Sequence, residues 1–480
     1  MAFLEQAANR GSISSGYDVS NSVKLERDNS ERFKLDYPST GSRTTQTISM
    51  WIKRIDGGVQ QVLWATSGAD SHEGRMFLRF QANDKLRLST GTTVLRETNR
   101  LFRDTAAWYH IVVRLDTTQS TAANRHRIYI NGVEETDFGT TSNMNQNQNM
   151  GTNYGSFSVG DDHVDTWSGT KYYRGYVAQV ASVESSEAPT KFGEFDSDTQ
   201  IWKPKNLSGL TYGSRGFWLE FDDSSAMGDD HSGNGNDFTG TNIGSTDQAL
   251  DSPTNNFCIM NNNSRTNGNI HFEHGGVKGS TDGGSGWVSM AATMGVAAGK
   301  WYWEGFFENN SDARTVFWGI CAANDPWIPA RSGGYYLGNV STMGSLGWYG
   351  VNGVVYNGSG TWNGMNYGNH LQFALDMDNM KIYFGANGTW GNSSNPATGS
   401  NGVDVSARFA GLSNIDQFIL PALSIYQGCR ARINFGGYYN DAGGYSISSS
   451  ASDANGYGNF EYAPPSGYYA LCSKNLAEFG

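Results

Sequence analysis

The sequence predicts an all-β protein built mainly from two β-sandwich modules. Three observations predict it. The chain has 480 residues, more than one hydrophobic core usually serves. It carries 61 Gly against only 10 Pro, with abundant Asn, Ser and Thr, a mix that suits many short strands joined by tight turns. Apolar residues recur with a period of two in run after run, the mark of half-buried strands. Charged residues make up only 17%, so the surface is largely neutral-polar, and the net charge of −12 is spread without a basic stripe. That excludes nucleic acid as a partner, because phosphate binding needs clustered Lys and Arg. No apolar run approaches the ~18–20 residues of a membrane span. Met1-Ala2-Phe3-Leu4-Glu5-Gln6 lacks the basic-then-apolar order of a signal peptide, so synthesis in a cytoplasm is expected.

Residues 1–17 are small and polar apart from Ala2-Phe3-Leu4 and read as an arm. Residues 18–190 form the first module. Ser22-Val23-Lys24-Leu25 alternates, and Gln46 to Lys53 places Ile48, Met50 and Ile52 on one face. Arg75 to Phe80 and Lys85 to Ser89 read as consecutive strands, and Trp108 to Asp116 is the strongest. Arg127-Ile128-Tyr129-Ile130 runs into Asn131-Gly132, a type I′ hairpin turn. Tyr172 to Val180 closes the module. Residues 191–260 are polar and irregular, too long for a bare linker, and are expected to pack along both modules as an ordered joining region. Residues 261–480 form the second module and a C-terminal extension. Its strands run through Gly299 to Phe307, Val316 to Cys321, Leu371 to Asp378, Lys381 to Phe384, Ile419 to Tyr426 and Ala431 to Gly436.

The order TISMWIKR, WYHIVVRLD, HRIYINGVEE, YRGYVAQVASVE resembles the laminin-G/pentraxin-like concanavalin-type jelly roll over about 18–190. The order GKWYWE, WGI, FALDMDNMKIYFGANG, LPALSIY, ARINFG resembles the SPRY domain, another concanavalin-like jelly roll, over about 290–440. The resemblance implies two jelly-roll sandwich modules joined by an ordered loop-rich region. Together with SGYDVSNSVKLERDNSERF near the start and DANGYGNFEYAPPSGYYALCSKNLAEFG at the end, the order resembles structural proteins of tailed bacteriophages, especially marine ones. It implies a virion component, a tail fibre or spike touching a host-surface glycan or protein. The alternative is an architectural capsid-decoration or tail-assembly protein. Partners would be other virion proteins and further copies of the chain in a homo-oligomer.

Candidate chemistry is sparse. Aromatics among Gly and Asn, namely Trp327, Tyr335, Tyr336, Trp348, Tyr349, Tyr356 and Trp362, are candidates for ligand contact, because sugar rings stack on exposed aromatic faces; core packing is the competing reading. Asp222, Asp223, Asp229, Asp230, Asn234 and Asn236 form an oxygen-rich loop series that could hold Ca2+, which wants ~6–8 oxygens, or could be an ordinary Asn/Gly turn series. Asp161 and Asp162 are a second candidate, and Asp376 and Asp378 read as turn caps. Glu194-Phe195-Asp196-Ser197-Asp198 resembles the strand-borne carboxylates of laminarinase-type glycosidases but ends in Asp where that motif has Glu. His110 reads as a packed, hydrogen-bonded histidine; His72, His163, His231, His271, His274 and His370 share no ligand spacing. Cys258, Cys321, Cys429 and Cys472 lack paired spacing and read as buried thiols. No nucleophile elbow, phosphate-cradling loop or HExxH is present, so a non-enzymatic role is expected.

Overall fold

The structure is a computed structural model. It describes residues 16–67, 75–162, 171–264, 270–281, 286–308, 316–323, 336–339, 344–349, 353–356, 368–409, 418–426, 428–438 and 445–480. Apart from Gly16 and Tyr17, the expected N-terminal arm lies outside these residues. The chain divides into two compact units, with the division between Thr254 and Asn255.

Among the described residues the first unit holds two antiparallel sheets of eight strands each. In hydrogen-bonded order, one runs Val133–Glu134, His126–Ile130, Trp108–Asp116, Thr45–Arg54, Gly175–Val183, Ser22–Leu25 and Gln248–Ala249, with Phe217–Leu219 also on Gly175–Val183. The other runs Phe138–Thr141, Thr93–Leu101, Lys85–Thr90, Met76–Phe80, Gln61–Thr66, Ser156–Val159, Arg32–Asp36 and Thr239–Thr241. The period-two residues meet in one core: Ile48, Met50, Ile52, Ile111, Val113 and Leu115 from the first sheet, Leu78, Phe80, Leu86, Leu88, Phe157 and Val159 from the second. Each such side chain removed from water contributes roughly 1.5–3 kcal/mol, which makes the register hard to shift by one. Asn131 and Gly132 take φ of 49° and 79°, as a type I′ turn requires.

The segment expected to join both modules belongs, up to Thr254, to the first unit. Its strands Phe217–Leu219, Thr239–Thr241 and Gln248–Ala249 all extend that unit's sheets. Two buried lysines tie it there. Lys24 is paired with Glu31 at 2.8 Å and Asp247 at 2.6 Å. Lys53 is paired at 2.6 Å with Asp251, whose other oxygen accepts from Trp108 Nε1 at 3.0 Å. An ammonium taken out of water needs its carboxylate, so both pairs fix 247–251 once it closes over the sheet. A second anchor is the hairpin Gly193–Phe195/Trp202–Pro204, whose Trp202 Nε1 donates to His110 Nδ1 at 2.9 Å.

A bulge in Gly175–Val183 allows two strands to share one edge. The register shifts between Ala178 and Ala181, and buried Gln179 takes φ of 44°. Ser22–Leu25 pairs before the bulge and Phe217–Leu219 after it.

Among the described residues the second unit has a nine-stranded and a five-stranded sheet. The larger runs Ile270–Glu273, Lys278–Thr281, Arg430–Asn434, Lys300–Glu308, His370–Asp376, Lys381–Ala386 and Thr389–Trp390. Val403–Asp404 is added on Lys381–Ala386, and Tyr469–Ala470 lies parallel to Lys300–Glu308. The smaller runs Trp287–Ala291, Ile419–Tyr426, Val316–Ala322, Ser345–Tyr349 and Val355–Tyr356. Trp301, Trp303, Trp318, Trp348, Phe373 and Phe384 fill the core between them. The outer face of the larger sheet is covered by Phe460 and Tyr468 of the C-terminal segment, which ends in the helix Ser473–Phe479. Below that segment, buried Glu304 accepts from the backbone N–H of Glu461 at 2.9 Å and Tyr462 at 2.7 Å, and from the Tyr302 hydroxyl at 2.9 Å. All four cysteines are buried thiols outside any disulfide.

Candidate functional site

Strand parity on the five-stranded sheet sorts its residues into two faces. Val288, Met290, Trp318, Ile320, Leu346, Trp348, Leu423 and Ile425 point into the core. The opposite face carries Trp287, Phe317, Tyr349, Tyr356 and Tyr426. The pairs Trp287↔Tyr426, Phe317↔Tyr349 and Gly347↔Tyr356 bring these rings side by side. Tyr336 joins them from a loop. That loop is held down by Leu337 N–H donating to Ser424 Oγ at 3.0 Å and Gly338 N–H donating to Ser345 Oγ at 3.2 Å. Gly347 makes the approach possible, since a Cβ there would stand 2.7 Å from the Leu337 carbonyl oxygen.

The result is an aromatic platform centred on buried Phe317. Tyr336 and Tyr349 stack on it with centroids at 4.3 and 4.5 Å and interplanar angles of 11° and 17°. Trp287 and Tyr356 meet it at steeper angles, each at 5.1 Å, and Trp287 touches Tyr426 at 5.1 Å. Apart from Phe317 the rings are half-buried, so each still presents part of a face or edge outward. Partial burial pushes the Tyr336 hydroxyl above the ordinary phenol range, so it stays a neutral donor. Chemically the platform offers apolar faces edged by phenol hydroxyls.

Of the aromatics singled out from sequence, Tyr336, Tyr349 and Tyr356 come together here. Trp348 instead lies in the core against Phe384 at 5.1 Å. Trp327, Tyr335 and Trp362 lie outside the described residues. Trp287, Phe317 and Tyr426 were missed because they sit inside strands rather than loops; their parity opposite to Trp318 and Ile425 was the available signal.

The six loop residues proposed for Ca2+ are not gathered into one ring. Asp230 spends its oxygens on the backbone N–H of Trp218, Ser232 and Asn236, each at 2.9 Å. Asn234 and Asn236 both donate to the Gly216 carbonyl, at 2.9 and 2.8 Å. Asp223 accepts from Ser225 N–H at 2.8 Å in its own turn, and Asp229 is exposed. Asp222 turns away from these and faces His231 Nε2 at 3.1 Å.

Asp161 is buried and faces Arg32 at 3.5 Å, while Asp162 accepts from Lys171 N–H at 3.3 Å. Asp376 caps its turn through Asn379 N–H at 3.0 Å, and Asp378 accepts from Gly299 N–H at 2.8 Å. In the glycosidase-like stretch, Asp196 is buried, accepts from the N–H of Asp198 and Thr199, and pairs with Lys203 at 3.1 Å. Glu194 lies between Lys203 and Lys205 at 3.8 and 3.7 Å. His72 and His163 lie outside the described residues.

A family model described as the concanavalin A-like lectin/glucanases superfamily matches residues 27–185. The matched residues lie within the first unit. Proteins with curated descriptions include none that matches this chain. Among solved structures the chain is similar to the SPRY domain of human HERC1, at 17% identity and a TM-score of 0.27, over 36% of this chain and 96% of that one. It is also similar to the heptameric SAP-like pentraxin of Limulus polyphemus, at 9% identity and a TM-score of 0.28, over 41% of this chain and 100% of that one. No helix among the described residues is long and apolar enough to cross a membrane.

Proposed function

We propose that this chain is a non-enzymatic glycan-binding component of a bacteriophage virion, of tail-fibre or spike type, acting as a homo-oligomer beside other virion proteins. The observation that carries the binding reading is the platform of Trp287, Tyr336, Tyr349, Tyr356 and Tyr426 around Phe317. A hexose presents an apolar C–H face that stacks on such rings, while its hydroxyls reach the phenol edges. The lectin/glucanase-type match of the first sandwich supports the same ligand class. The non-enzymatic part is supported by Glu194 and Asp196, which are held in lysine pairs. The virion part rests on the sequence resemblance alone.

The test is a glycan array probed with the purified full chain, followed by adsorption to cells that carry the retained glycan. Trp287→Ala and Tyr349→Ala are each expected to weaken binding about tenfold, since an aromatic contact contributes ~0.5–1.5 kcal/mol beyond its area. Retention of no glycan, or wild-type binding by both variants, overturns the glycan reading. The architectural alternative is favoured by one observation in the first unit. Phe195, 47% exposed, meets Trp202 edge-on at 4.9 Å, and Val133, 61% exposed, follows the Gly132 turn that rests on the same indole. Such an apolar patch suits a protein neighbour. Imaging of the particle would separate the two: capsid-lattice density without cell adsorption favours architecture.

A further inference from the structure

We infer that Glu220, Asp222 and His231 form a binding site for one late first-row divalent cation of the zinc class. One ligand atom from each of the three side chains lies within 4.8 Å of the other two. Glu220 Oε2 is 3.4 Å from His231 Nδ1, and Asp222 Oδ1 is 3.1 Å from His231 Nε2. An imidazole gives one nitrogen to a given ion, and the two carboxylates face opposite nitrogens. Binding therefore requires one carboxylate to swing across the ring edge, within the 4.8 Å that the three ligand atoms span, to reach the roughly 3.3 Å spacing of a tetrahedral zinc site. An imidazole beside two carboxylates suits zinc and its neighbours, whereas calcium takes oxygen alone. The site shares only Asp222 with the oxygen-only loop series read from the sequence and differs from it in metal class.

The frame is built before any ion arrives. Glu220 follows directly on the strand Phe217–Leu219. His231 is held opposite that strand: its N–H donates to the Trp218 carbonyl at 2.8 Å, while Trp218 N–H donates to Asp230 at 2.9 Å. The turn between Glu220 and Asp222 is fixed by the buried Phe221 side chain and by Gln248 Nε2, which donates to the carbonyls of Phe221 and Asp222 at 2.7 and 2.9 Å. The Tyr17 hydroxyl donates to Glu220 Oε1, which orients the carboxylate and leaves Oε2 toward the histidine. Hydrogen bonds of this kind to a metal-binding carboxylate are worth 10–100-fold in affinity in known sites. Asp222 and His231 are 49% and 34% exposed, so an ion can enter and water can complete its coordination.

The competing reading is a histidine that bridges two carboxylates only when protonated. Tag-free, chelator-stripped full-length protein titrated calorimetrically with ZnCl2, and separately with CaCl2, distinguishes them. Wild type is expected to take up one zinc and to melt higher in its presence. Asp222→Asn and His231→Gln should each bind zinc at least tenfold more weakly and lose the rise in melting temperature. Tyr17→Phe should weaken binding by a smaller factor. Both ligand variants are first melted in chelator; Asp222 is half-exposed, so Asp222→Asn retains the wild-type midpoint there and remains informative if His231→Gln does not. No zinc uptake, wild-type zinc affinity in Asp222→Asn, or calcium binding as tight as zinc overturns the site.

Discussion

His110 is boxed by aromatic rings and by two polar contacts of opposite kind. Trp51 stacks on it at 4.6 Å and Trp202 at 5.9 Å. Trp202 Nε1 can only donate, so His110 Nδ1 accepts, and the proton sits on Nε2, which donates to Ser49 Oγ at 2.8 Å. Burial pushes the pKa down to about 3; a second ring proton would also face the indole N–H. A histidine whose folded pKa lies below its unfolded value of about 6.5 contributes stability in full above 6.5, and this is lost progressively as pH falls toward 3. From pH 7 to pH 5 the loss is about 2 kcal/mol. His110→Gln should therefore be less stable at pH 7 yet lose about 2 kcal/mol less between pH 7 and 5, read from urea melts at the two pH values. Equal losses in variant and wild type would refute the assignment. The sequence already marked His110 as packed and hydrogen-bonded, because it sits between strand neighbours. It could not mark His231, which reaches Glu220 only through backbone pairing with Trp218.

One buried side chain is central to the attachment of each of two elements. The hairpin Gly193–Phe195/Trp202–Pro204 is fixed by Trp202, which is 5% exposed. Trp202→Ala should cost about 3–5 kcal/mol and raise amide exchange across 193–204; unchanged exchange there would show that the hairpin is anchored otherwise. Gly132 lies under the same indole with φ of 79°, and a Cβ would stand 2.3 Å from a ring carbon. For the C-terminal segment, held also by Phe460, Tyr468 and the strand Tyr469–Ala470, that side chain is Glu304, whose two oxygens face donors only: two backbone N–H groups, the Tyr302 hydroxyl and, at 3.4 Å, the Asn434 amide. In Glu304→Gln an NH2 group would have to face one of these pairs. The expected loss is about 1–3 kcal/mol, with amide protection at Glu461 and Tyr462 falling first. The strands and the Asn131-Gly132 turn were legible because period and turn chemistry are local. These attachments were not, since each depends on a buried polar group meeting a segment far along the chain.

At the scale of the molecule, each unit carries its own sandwich core, and the first extends to Thr254 rather than to residue 190. A fragment of residues 14–254 should unfold cooperatively on heating. A fragment of residues 14–190 should not, because it lacks the core side chains Phe217, Leu219, Phe221 and Phe238 and the three strands that pair onto both sheets. Cooperative melting of the shorter piece at the same temperature would contradict this account. The aromatic platform was half legible for a related reason: loop composition picked out Tyr336, Tyr349 and Tyr356, but only the pairing of five strands shows which face Trp287 and Tyr426 share with them.

The Lys53–Asp251 pair also sets a schedule for the newborn chain. The partners are 198 residues apart, and a ribosome adding ~5–20 residues per second needs roughly 10–40 seconds to travel that distance. For that interval the sheet around Lys53 is waiting for its closing segment, with Trp108 and Tyr176 beside an ammonium that water still hydrates. The first unit therefore completes itself late, when translation of the second is about to begin, and chaperones have a defined window in which to meet it.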